Sequence, residues 1–190
     1  KDLSKLATNN TANQDAIREA GGIQTLVTMC VSGTDKVKEQ AAVALMNLAN
    51  DNTANQNQIR EVGGIPILLD MCKSSTDFGK SYAALALFYL ANNNPENKDI
   101  IIRAGGIPVL VELNNSTISK VNESAKLALD ILAEDNTENK AAIIAAQEAF
   151  ANANPTGSNT NSALATTTTT TSGSVSDSDS VSDPVSASVP

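Results

Sequence analysis

A block of 42 residues recurs through this chain without one insertion or deletion, and that spacing restricts the fold more than any other feature. Thr11-Ala12-Asn13 returns as Thr53-Ala54-Asn55, then as Pro95-Glu96-Asn97 and Thr137-Glu138-Asn139. Paired glycines stand at Gly21-Gly22, Gly63-Gly64 and Gly105-Gly106. An Ala-Leu-x-x-Leu-Ala core closes each copy, at Ala44–Ala49, Ala86–Ala91 and Ala128–Ala133. A period of this length marks a solenoid, whose units bury their apolar faces only against their neighbours. Such arrays present surfaces rather than enclosed clefts.

One copy reads as three helices. Asn10, Asn52, Asn94 and Asn136 precede Thr, Thr, Pro and Thr, and a proline at the first helical position makes these asparagines N-caps. The first helix is short and stops at the glycine pair, where left-handed backbone is available. Ile23, Leu26, Val27 and Cys30 then have the i, i+3, i+4, i+7 spacing of a second helix with one buried stripe. Thr34-Asp35 and Ser75-Thr76-Asp77 begin a third and longest helix, expected over about residues 36–50 in the first copy. Its expected core face is Val37, Ala41, Ala44, Leu45 and Leu48, with Ala41, Ala83 and Ala125 small enough for close helix approach. In the fourth copy Gln147-Glu148 replaces the glycine pair, so nothing stops the helix. A single helix over about 138–153 is expected, capping the array with Ile143, Ile144 and Phe150.

Three helices per 42 residues, a short first helix and a Gly-Gly break before the second resemble the armadillo repeat. The matching residues are Asn13, Ala20-Gly21-Gly22-Ile23 and Ala44-Leu45-x-Asn47-Leu48. The resemblance implies an all-α, right-handed α-solenoid. Residues 1–8 would end a preceding repeat, followed by repeats at 9–50, 51–92 and 93–134, a degenerate capping repeat at 135–154 and a tail at 155–190. Leu3, Leu6 and Ala7 match Leu45, Leu48 and Ala49 one period later, so the chain opens mid-pattern and further sequence is expected upstream.

In armadillo proteins the third helices line a concave groove. A stripe spaced by four, three and four residues along the third helix would face a bound partner there. The groove residues so implied are Gln40, Val43 and Asn47, with Lys36 at the end of the stripe. The next repeats supply Phe78, Tyr82, Leu85 and Tyr89, then Ser124, Leu127 and Ile131 beside Lys120. The nuclear-import adaptors of the family carry Trp in the phase of Val43 and Asn in the phase of Asn47. Here only Asn47 keeps that pair and the chain has no Trp. The pattern resembles the yeast vacuolar armadillo protein, plant U-box ligases and catenins more closely. Three readings follow: a non-catalytic adaptor binding a peptide or helical segment of another protein, the substrate-recognition part of a U-box/armadillo ubiquitin ligase, or a membrane-tethered vacuolar-type adaptor anchored through upstream sequence. A cytoplasmic location, or one in the nucleus or on the cytosolic face of a membrane, is expected.

Composition narrows the chemistry. With no His among 190 residues, the commonest general base and zinc ligand are missing, so no catalytic residue, metal or cofactor is expected. The net charge is −8; the tail holds three Asp and no basic residue, leaving −5 on residues 1–154. That balance speaks against direct contact with nucleic acid. Cys30 and Cys72 share one phase and are expected as reduced core residues. The tail is rich in Ser, Thr, Val and Ala, a composition that reads as disordered. In it Ser174, Ser176 and Ser180 each precede an Asp by three residues, a spacing that resembles acidophilic kinase sites.

Overall fold

The computed structural model describes residues 10–155. The expectations for residues 1–8, for the tail from 156 and for Ser174, Ser176 and Ser180 lie outside these residues. Within them the chain is all α, with helices α1 (Thr11–Glu19), α2 (Gly22–Ser32), α3 (Asp35–Ala49), α4 (Thr53–Glu61), α5 (Gly64–Ser74), α6 (Asp77–Ala91), α7 (Pro95–Arg103), α8 (Gly106–Asn114), α9 (Ser119–Ala133) and α10 (Thr137–Ala153). Helices α1–α3, α4–α6 and α7–α9 form three like units, and α10 closes the array.

Local chemistry sets these boundaries. The Oδ1 atoms of Asn10, Asn52, Asn94 and Asn136 accept from the backbone N–H three residues on, at 3.0, 3.0, 3.1 and 2.9 Å. Caps of this kind contribute about 1 kcal/mol each. The two glycines of each pair serve different purposes. Gly21, Gly63 and Gly105 have φ of 75°, 78° and 80°, the left-handed region that disfavours a side chain. Gly22, Gly64 and Gly106 open the next helix, and a Cβ there would lie 2.5–2.6 Å from Cγ2 of Ile17, Ile59 or Ile101. The second position of each corner is therefore closed to any larger residue by crowding, while the first disfavours one through its φ alone.

The third helices stack side by side, α3 on α6 and α6 on α9, each also packed against the second helix of its own unit. Ala41, Ala42, Ala83, Ala84 and Ala125 are all buried there, and their small size permits the approach. Leu45, Leu48, Leu87, Leu90, Leu129 and Leu132 fill the core. Cys30 and Cys72 are buried and unbridged, and burial pushes their thiols up to about 11 and about 12.

Two expected core residues are exposed. Val37 is 39 % accessible, although Val121 in the same phase is 1 %. Val121 lies on α9, which has α6 packed beside it, whereas no third helix stands before α3 among the described residues. Ile144 on α10 is 41 % accessible; Ile143 and Phe150 make the capping contacts without it.

A polar ladder joins the units. Gln14 Nε2 donates to the carbonyls of Asn47 and Asn50 at the end of α3, at 2.8 and 3.2 Å, and its Oε1 accepts from Asn52 Nδ2 at 3.1 Å. One unit on, Gln56 Nε2 donates to the carbonyls of Ala49, Tyr89 and Asn92, and its Oε1 accepts from Asn94 Nδ2 at 3.1 Å. Asn55 and Asn97 Nδ2 donate to the carbonyls of Leu48 and Leu90 at 2.9 and 2.8 Å. Arg18 and Arg60 in turn donate to Asn55 and Asn97 Oδ1. The otherwise orphaned carbonyls at the ends of α3 and α6 are thus satisfied by side-chain amides from two consecutive units.

Candidate protein-interaction surface

The stripe expected to meet a partner lies on the face made by α3, α6 and α9, but not all of it reaches solvent. Lys36 and Gln40 are exposed, while Val43 and Asn47 are half-buried. On α6, Phe78 is 59 % accessible, and Tyr82, Leu85 and Tyr89 are half-buried. On α9, Lys120 is exposed and Leu127 is 45 % accessible.

Ser124 and Ile131 do not join the surface. Ser124 is 3 % accessible; its Oγ lies 2.8 Å from Ser81 Oγ on the neighbouring third helix and donates to the Lys120 carbonyl at 2.7 Å. Ser124 thus borders the preceding third helix and is covered, while Tyr82 in the same phase is only half-buried. Ile131, at 8 %, belongs to the core. The accessible surface therefore centres on Phe78, Tyr82, Leu85, Tyr89 and Leu127.

Its aromatic rings are held in place. Tyr89 meets Phe88 edge to face, with centroids 5.0 Å apart and planes at 72°. Lys120 Nζ sits over the Tyr82 ring, 5.7 Å from its centroid, a cation–π contact that crosses from one unit to the next. Lys36 Nζ is 3.5 Å from Glu39 Oε2, while Glu39 itself is buried and accepts from Thr76 Oγ1 at 2.6 Å. No acidic residue occupies the stripe.

Two carboxyls elsewhere are perturbed. Hydrogen bonds from Asn52 and then Arg18 hold Asp15 below the usual range, and burial raises Asp130 against the pull of Lys126. Asp15 belongs to the ladder and neither lies in the stripe. Among the described residues no group of three His, Cys, Asp or Glu is placed to hold a metal, and no helix is long and apolar enough to cross a membrane. A second, polar depression runs between Asn94, Lys98 and Asp99 on one side and Glu134, Asp135 and Asn139 on the other.

Comparison with solved structures settles the class of fold. An engineered protein is 34 % identical with a TM-score of 0.73 over 76 % of this chain and 59 % of its own. A designed armadillo repeat protein in complex with the peptide (KR)4 is 25 % identical, with a TM-score of 0.71 over 76 % of this chain and 60 % of its own. The armadillo-repeats-only protein ARO of Plasmodium falciparum is 27 % identical, with a TM-score of 0.64 over 74 % and 64 %. The chain has the armadillo-repeat fold. This armadillo array spans about three-fifths of the length of those relatives. A family model described as the spinocerebellar ataxia type 10 protein domain matches residues 1–62, and no curated protein matches significantly. The peptide-bound designed protein among these neighbours supports a protein-interaction scaffold as the class of this fold.

The ladder residues Gln14 and Gln56 escape a sequence reading because a polar side chain in a short helix looks solvated. Their signal is Asn-x-x-Asn-Gln at one phase in two consecutive copies, giving way to Lys98 and Lys140 in the last two.

Proposed function

We propose that this chain is a non-catalytic binding module that holds a segment of another protein in the groove of its third helices. The observation that carries the reading is the uncovered apolar strip on α6 and α9. A phenylalanine at 59 % exposure and a leucine at 45 % sit beside two anchored tyrosines, on the face where armadillo arrays line up their binding residues. Tyrosine provides contact area and a hydroxyl at low entropic cost, and is frequent among interface residues that carry affinity. The designed relative in complex with a peptide supports the kind of partner. The acidic balance of the chain favours protein over nucleic acid.

The test is selection from a displayed random-peptide library on the wild-type chain, followed by Phe78→Ala and Leu127→Ala. Both residues are exposed, so melting should hardly move. Ligands that use the groove should lose about 1–2 kcal/mol with either change. Selected peptides that bind both variants as tightly as the wild type would place the binding surface elsewhere.

A further inference from the structure

We infer that the groove takes an extended peptide with two carboxylates about five to six residues apart and aliphatic or aromatic side chains between them. This rests on the groove reading above and adds its charge and register. The stripe carries two cations, Lys36 and Lys120, and no anion, on a chain whose net charge is −8. The acidic residues on the same helices lie off the stripe, Asp130 of α9 among them. Glu39 is buried against Thr76, Glu123 accepts from Ser119 Oγ at 2.7 Å, and Asp35 and Asp77 lie in first turns, where the helix dipole favours them. Lys120 has no carboxylate within 4.0 Å among the described residues, and the Tyr82 ring steadies its ammonium. Lys36 is 78 % accessible along its side chain despite its contact with Glu39.

These cations share the phase of Phe78 and flank the Phe78 end of the apolar strip, one on α3 and one on α9, with α6 between. Packed helices lie about 8–10 Å apart, so two steps span about 16–20 Å. An extended chain advances about 3.3 Å per residue, which sets the spacing of five to six. The basic (KR)4 peptide of the designed relative would bring like charge to both of these lysines.

The experiment uses the full chain and fluorescein-labelled peptides read by anisotropy. The probe is Asp-Val-Leu-Ala-Phe-Val-Asp between Gly-Ser flanks, against a twin with Lys for both Asp. The Asp peptide should bind about tenfold tighter than its twin, with the difference shrinking as salt rises. Lys120→Glu, at an exposed site, should weaken the Asp peptide about threefold to tenfold and strengthen the Lys twin, with unchanged melting. If the Lys twin binds wild type equally well and Phe78→Ala abolishes it, the charge inference is overturned while the groove reading stands. If the Asp peptide binds but ignores both Lys120→Glu and Phe78→Ala, the inference is overturned because the peptide sits elsewhere. If neither peptide binds and the library yields no Phe78-dependent ligand, both readings fall together.

Discussion

The two inner junctions of the array and the last one are built differently. At the inner junctions Gln14 and Gln56 sit buried, join the end of one third helix to the next N-cap, and keep Asn52 and Asn94 at 5 % exposure. At the last junction Lys98 stands in that phase and reaches out to Glu134 Oε2 at 3.3 Å. Ile102 stands where Arg18 and Arg60 reach across. Asn139 keeps its bond to the Leu132 carbonyl at 2.9 Å, but Asn136 is exposed and the polar depression opens beside it. A partly exposed ion pair contributes little, whereas each buried amide also spares carbonyls the cost of going unpaired. The inner junctions are thus cooperative, and the last is an apolar contact with a solvated rim.

Breaking the middle of the array should cost most. Leu87→Ala, at a site 1 % accessible, should destabilise by about 2–5 kcal/mol in chemical denaturation. Next in size, Gln56→Ala should cost about 1–3 kcal/mol, because it strands carbonyls on both sides of a junction. Hydrogen exchange would then show α6 and α7 losing protection together; loss confined to α4 would mean the ladder does not couple units. Lys98→Gln tests the contrast from the other side. It should extend the ladder and raise protection in α10 above that of the wild type, where residues 51–92 are expected to be the most protected. The smallest effect concerns Asp15. Its pKa is lowered in the folded chain, so its contribution is present above the unfolded value of about 3.9 and lost as pH falls through the folded value. Asp15→Asn should flatten that acid limb; an unchanged acid titration of stability would show that the hydrogen bonds from Asn52 and Arg18 hold no net energy.

Much of this was legible from residues alone, and the exceptions share a cause. Caps, glycine pairs, helix order and the fused last helix are local, decided within a few residues of one chain segment. Burial of the groove stripe is not local. Helical arithmetic puts Ser124 on the same phase as Tyr82, but whether that phase is covered depends on the size of the side chain and on the helix before it. Val37 and Ile144 err the other way, apolar residues at the two ends of the described array. The glutamines were invisible for a third reason: their partners are carbonyls, which no sequence pattern displays.

The crowded glycine corners have a mechanical consequence. With Gly22, Gly64 and Gly106 pressed against the preceding helix, the angle between first and second helices has no slack. Any bending or stretching of the array must be taken up where one unit meets the next. The molecule is then a row of stiff links on softer joints, and the joint beside α10 is the softest of those described. Pulled from its ends, it should yield there first, and each link that opens would release about 130 Å of chain.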